Sequence, residues 1–150
     1  MGYYVDMEMN NMVISADKVQ ACLSAINEMF TDENLENGSG GSFGGSITEE
    51  TPIRERKWYS WVNNPDGGFK TLQDALESWR YSYNLLENGD VEIEYFNGEK
   101  LGDDSQFMEV IAPFMPNGSS VDCRGEDGCL WQWMFKDGIL DERSGKVVYE

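Results

Sequence analysis

From Tyr3 to Asn10 apolar and polar residues alternate, with Tyr3, Val5, Met7 and Met9 on one parity and Tyr4, Asp6, Glu8 and Asn10 on the other. A period of two is that of a strand with one wet face. The period then changes. Val19, Cys22, Leu23, Ile26, Met29 and Phe30 fall at steps of three and four, which predicts an amphipathic helix, and Ser15 stands where its cap belongs. Beyond it lie Thr31-Asp32-Glu33-Asn34 and a Gly/Ser run from Gly38 to Ser46. By composition, residues from about 31 to 56 read as a flexible segment, either a linker within the domain or a mobile loop.

Lys57 to Val62 is aromatic-rich and predicts a short strand ended by the turn residues Asn63-Asn64-Pro65-Asp66-Gly67-Gly68. Thr71 and Asp74 are spaced as a capping box with Asp in place of Glu, and Leu72, Ala75, Leu76, Trp79 and Tyr83 continue at helical spacing. Tyr83–Leu86 and Val91–Phe96 flank Asn88-Gly89, the dipeptide of a type I′ hairpin turn, with Val91, Ile93 and Tyr95 expected toward the core. Asp103 or Asp104 caps a third helix carrying Phe107, Val110, Ile111 and Phe114, which Pro116 stops. From Ser119 onward three short strands are separated by Gly125-Glu126-Asp127-Gly128, Asp137-Gly138 and Ser144-Gly145. The middle one places Trp131, Trp133 and Phe135 on one face.

These elements predict a single α+β domain over residues 1–150: a mainly antiparallel sheet with two to three helices on one face and a C-terminal three-stranded meander. The ferredoxin-like or split βαβ arrangement is the nearest named type. A last strand over Lys146–Tyr149, at a sheet edge, is compatible with pairing to a second copy.

Composition narrows the partners. Eleven Lys and Arg against 28 Asp and Glu give a net charge of −17, with no histidine, whereas a small domain usually carries a magnitude of about 2–8. Such a chain repels nucleic acid and acidic membranes, so no direct nucleic-acid binding and no membrane contact are expected, and the partner is basic or neutral. The lack of histidine removes the commonest proton shuttle and metal ligand. No basic leader opens the chain and no apolar run approaches the roughly 18 residues of a membrane span, so a cytoplasmic protein is expected. Cys22, Cys123 and Cys129 match no zinc or redox spacing. Cys123 and Cys129 flank one turn, but two reduced thiols are the simpler reading.

The usual catalytic and phosphate-binding motifs are missing, and the Gly38–Gly45 run has no strand before it and no helix directly after it. The pairs Asp103-Asp104, Glu126-Asp127 and Asp141-Glu142 read as solvated turn residues, and no metal or cofactor is expected.

The opening Met1-Gly2-Tyr3-Tyr4, the stretch Ile111-Ala112-Pro113-Phe114 and the block Arg124-Gly125-Glu126-Asp127-Gly128, Trp131-Gln132-Trp133-Met134-Phe135, Asp137-Gly138 resemble a group of small proteins from phages and bacteria. No activity is assigned to that group. The resemblance implies a phage or mobile-element setting and transfers no catalytic residue.

Two functional readings follow. The first is a non-catalytic binding protein that engages a basic surface of a host protein, in the manner of a DNA mimic or an anti-CRISPR-like inhibitor of a host defence or nucleic-acid enzyme. Its acidic contacts would be Glu8, Glu92, Glu94, Asp103, Asp104, Glu126 and Asp127. Its aromatic contacts would be Trp58 and Trp61, whose parities differ so that one must point away from the core. The second is a small-ligand pocket or carboxylate-based enzyme between sheet and helices, with Arg124, Glu126 and Asp127 near a wall of Trp131 and Trp133.

Overall fold

In the computed structural model, which describes residues 3–41 and 50–149, the alternating N-terminal segment is strand β1 (Val5–Asn10), with Val5 buried and Asp6 and Glu8 exposed. Asn11, at φ 53°, bends the chain into β2 (Val13–Ile14). This bend matters because β1 pairs with β7 (Ser120–Gly125) while β2 pairs with β6 (Val91–Phe96). One kinked N-terminal strand thus feeds two sheets. The larger has the order β1-β7-β8-β9 and the smaller β2-β6-β5, with β8 at Leu130–Lys136, β9 at Ile139–Gly145 and β5 at Tyr81–Leu85. A two-stranded ribbon joins β3 (Gly40–Gly41) to β4 (Lys57–Trp58). Every pairing among the described residues is antiparallel, and β7-β8-β9 is the C-terminal meander. The fold is α+β.

Helices α1 (Val19–Glu28), α4 (Leu72–Ser78) and α5 (Asp104–Ile111) pack together, α1 touching both others, and bury Ile26, Leu76 and Phe107 completely. Two shorter helices, α2 (Asp32–Leu35) and α3 (Ile53–Arg56), pack on each other. A chain of rings crosses this core. Phe30 meets Tyr59 at 5.5 Å, Tyr59 meets Trp79 at 5.6 Å, Trp79 stacks on Phe107 at 4.7 Å, and Tyr81 links Phe107 at 5.5 Å to Phe96 at 5.3 Å. Such pairs contribute about 0.5–1.5 kcal/mol each beyond their area. The chain of rings ends at Phe96, whose ring lies against the Arg80 guanidinium of the cleft described below.

Several elements differ from the sequence expectation, each for a local reason. Ser15 precedes a 3₁₀ turn over Ala16–Lys18 and makes no side-chain cap; Asp90 Oδ1 accepts from Ala16 N instead, at 2.8 Å. Of the stretch 31–56, residues 42–49 lie outside the described residues. The flanking parts are structured, because Thr31 caps α2 and Leu35 is fully buried, two signals that a Gly/Ser composition argument ignores. Strand β4 stops at Trp58 because the chain turns through Trp61 at φ 71°. The Asn88-Gly89 hairpin has a single left-handed residue, Gly89. Its N–H reaches Leu86 O at 2.9 Å and Leu86 N–H reaches Asp90 O at 2.9 Å, a three-residue loop with a type I turn rather than type I′.

Tyr95 is half exposed, not core. Ser82 pairs with Tyr95 and Tyr83 with Ile93, so Glu94 is an unpaired bulge residue that reverses the parity and turns Phe96 inward. The third helix ends at Ile111 in a 3₁₀ turn over Ala112–Phe114, before Pro116. Finally, Ser144-Gly145 belongs to β9 rather than to a turn, and Lys146–Val148 carries no strand.

Candidate functional site

The junction of α4 and β5 builds the most distinctive surface. Thr71 Oγ1 accepts from Asp74 N at 3.0 Å, as the capping spacing predicts, and α4 runs only to Ser78. Tyr81 already starts β5, so the turn must be made by Trp79 and Arg80 alone. Arg80 takes φ 75°, the left-handed position that glycine usually fills after a helix. A non-glycine residue there costs about 1–2 kcal/mol, and the Arg80 side chain has partners that offset it. Nη1 donates to Lys100 O at 2.7 Å and Nη2 to Asp104 Oδ2 at 3.0 Å. The guanidinium lies 4.9 Å from the Phe96 ring centre and 5.7 Å from that of Trp61, a cation held between two aromatic faces.

Asp104 is the hub beneath. Its side chain is 0% exposed. Oδ1 accepts from Tyr81 OH at 2.8 Å, and Oδ2 accepts from Gly102 N at 2.8 Å as well as from Arg80. Burial raises its pKa above the usual carboxylate value, against the Gly102 N–H, the Arg80 charge and the Tyr81 hydroxyl. Burial, with the neighbouring carboxylate, likewise pushes Tyr81 well above the usual phenol value. Asp103, 7% exposed, serves the adjoining loop: its Oδ2 accepts from Ser39 N at 3.1 Å, Ser39 Oγ at 3.0 Å and Ser60 N at 2.8 Å. The two acids expected on an exposed face are therefore internal scaffolding. They point inward because at the start of α5 they meet the bare N–H groups of two tight turns and a guanidinium.

Above this scaffold sits Trp61, 59% exposed and itself at φ 71°. Gly102 lets it approach, since a Cβ there would lie 2.7 Å from Ser60 Cβ and 2.8 Å from Trp61 Cδ1. Gly98 plays the same part for Arg80, whose Nη1 would be 2.8 Å from an added Cβ. Trp61, Arg80, Gly98, Glu99 and Lys100 enclose a cleft of about 230 Å³. Lys100 Nζ lies 5.8 Å over the Tyr4 ring, and Tyr4 bridges Lys100. The surface continues to the β7–β8 turn: Glu126 N donates to Tyr4 O at 2.9 Å, and Tyr3 OH donates to Asp127 Oδ1. That hydroxyl holds the Asp127 carboxyl below its usual range, and the carboxylate raises Tyr3 in turn. Tyr3 and Tyr4 are both exposed.

The remaining expected contacts scatter. Glu8 lies on the outer face of the larger sheet, opposite Asp122 and beside the Asp6–Arg124 pair, so acid and base are interleaved there. Glu92 pairs with Asn84 and Val13 within the smaller sheet, and Glu94 is the bulge residue. Trp58 is half-buried with its ring on Gly40, where no Cβ would fit. The structure thus brings Trp61, Glu126 and Asp127 near one surface and places Glu8, Glu92, Glu94 and Trp58 elsewhere.

The expected wall behind Arg124 does not form. Arg124 pairs with Leu130 on the outer face, while Trp131 and Trp133 take the opposite parity and Trp133 is buried. Among the described residues no group of three His, Cys, Asp or Glu could hold a metal ion. The three cysteines are free, and burial raises Cys22 and Cys123 to about 12. No helix among the described residues is long and apolar enough to cross a membrane.

The sequence pattern does not single out Arg80, Lys100 or Phe96. It holds one signal: a helical pattern running into a strand at Trp79-Arg80-Tyr81 without a glycine forces a bulky residue into the left-handed position. Comparison of the chain with protein-family models, with curated proteins and with solved structures finds no match.

Proposed function

We propose that the protein is a non-catalytic binding protein that engages a basic surface of another protein, with Trp61 at the centre of the contact. The exposure of Trp61 carries this reading. A large ring left 59% in solvent, yet fixed by a left-handed backbone, a glycine at its edge and a guanidinium at its face, loses little further freedom on docking. Trp, Tyr and Arg are the residue types that dominate binding energy at interface centres, and here Trp61, Tyr4 and Arg80 border one surface. Glu99, Glu126 and Asp127 form an acidic rim to it, suited to a basic partner. A cleft of about 230 Å³ is below the roughly 300–1,000 Å³ of small-molecule sites and fits a partner's side chain.

The net charge of −17 steers a basic partner from a distance. A surface that ordinarily receives nucleic acid has the complementary charge. With the resemblance to phage proteins, this makes a host defence or nucleic-acid enzyme in the cytoplasm the partner class proposed. Because the acids occupy several faces, charge acts here as a field and a rim rather than as a strip of phosphate-like groups.

The test is capture from nuclease-treated host lysate by tagged wild type and by Trp61→Ala, at low and high salt. A basic protein held by the wild type at low salt, released at high salt and absent from an equally stable Trp61→Ala sample is the expected result. Equal retention by Trp61→Ala overturns the reading.

A further inference from the structure

The larger sheet ends in β9, an edge of seven residues paired to β8 without a bulge from Leu130↔Gly145 to Lys136↔Ile139. Its other side receives no backbone hydrogen bond among the described residues. Open edges of this length are normally blunted by proline, a bulge, charged side chains or a covering element; β9 contains no proline or bulge, and its charges Asp141, Glu142 and Arg143 lie together at mid-strand. Beyond it the chain continues as Lys146-Val147-Val148-Tyr149, with no secondary structure and with Val147, Val148 and Tyr149 57%, 66% and 91% exposed. Ile139, at the start of β9, is also exposed. An apolar tail beside an open apolar-tipped edge is an unfinished sheet.

We propose that β9 and its tail pair antiparallel with the same segment of a second copy, about a two-fold axis at Ser144. The occupant is chosen by complementarity along the segment. In that register Glu142 faces Lys146, Leu140 faces Val148 and Ile139 faces Tyr149, each twice by symmetry, with the small Ser144 meeting itself on the axis. The parities agree as well. Leu140, opposite Phe135, is on the core-facing side of the sheet, so Val148 of the second copy extends that apolar row.

Asp141 needs no partner across the axis, because Arg143 Nε already donates to its Oδ2 at 2.8 Å. Charge also selects against the neighbouring register centred on Glu142, which would set two glutamates face to face. The pairing is isologous, supplies about ten main-chain hydrogen bonds, a usual number for a specific interface, and joins two four-stranded sheets into one.

Sedimentation velocity over a concentration series tests it, with wild type, Lys146→Glu and the charge-swapped pair Glu142→Lys with Lys146→Glu. The wild type is expected to dimerise. Lys146→Glu should raise the dimer dissociation constant about tenfold, and the swapped pair should restore it to within about threefold. Lys146 lies in the tail outside every element, so circular dichroism should show the single variant folded. A wild type that stays monomeric at the highest concentration, a dimer indifferent to Lys146→Glu, or a swap that fails to rescue would each overturn the proposal.

Discussion

Replacing Asp104 with alanine removes the hub under the Trp61 cleft. Three interactions go at once: the Arg80 pair at 3.0 Å, the Tyr81 hydroxyl bond at 2.8 Å and the Gly102 N–H bond at 2.8 Å. Removing one partner of a buried ion pair costs about 3–5 kcal/mol, because the other charge stays behind uncompensated. Arg80 keeps 19% of its side chain in solvent, so water relieves part of that cost, and the expected loss is about 3 kcal/mol. Asp104→Asn retains a carbonyl oxygen for one donor and should lose roughly half as much. Urea unfolding by linear extrapolation reads both, with the slope m unchanged if only stability has moved. A loss below about 1 kcal/mol for Asp104→Ala, the worth of an exposed ion pair, would refute the assignment of Asp104 as scaffold.

Gly102→Ala should destabilise by about 1–3 kcal/mol through the clash with Ser60 and Trp61; a neutral result in the same urea assay would contradict the close approach. A disulfide reagent at about pH 8 should modify Cys129 rapidly in the native protein and reach Cys22 and Cys123 only on unfolding; more than one fast equivalent would count against their burial. Carboxyl-carbon NMR titration should place the Asp104 midpoint above 3.8 and that of Asp127 below it. Asp104 binds its proton more tightly when folded, so the stability linked to that proton is fully present below its unfolded pKa and is lost as pH rises through the higher folded value, while the contacts to Arg80, Tyr81 and Gly102 remain. Asp127 runs oppositely: its contribution is present above the unfolded pKa and lost as pH falls through the lowered folded value. Midpoints in the reverse order would contradict both environments.

Local periodicity carried much of the fold. The alternation before Asn10 and the three-and-four spacing from Val19 are one-dimensional patterns that survive folding, as does the Thr71–Asp74 cap. What the pattern missed depends on contacts remote in sequence. Tyr95 leaves the core because the Glu94 bulge shifts the strand, and no residue in the run Val91–Phe96 marks that bulge. Asp103 and Asp104 look like cap residues for open water; only the arrival of Ser39, Ser60 and Arg80 from other loops buries them. The site was partly legible. The parities of Trp58 and Trp61 require one of the two to leave the core without saying which; it is Trp61 that is exposed, and a left-handed turn rather than strand alternation is the cause. Its partners Arg80 and Lys100 come from different elements, and no spacing in the chain joins them.

The proposed docking surface is the one around Trp61, with Tyr3, Tyr4 and the Glu126-Asp127 turn beside it. Hydrogen exchange of the protein with and without its captured partner tests this most directly. Partner binding should slow exchange at Tyr59–Val62, Gly98–Leu101 and Gly125–Gly128 and leave α1 and α5 unchanged. Protection confined to the groove between α1 and α5, which Glu28 and Glu109 line, would contradict it.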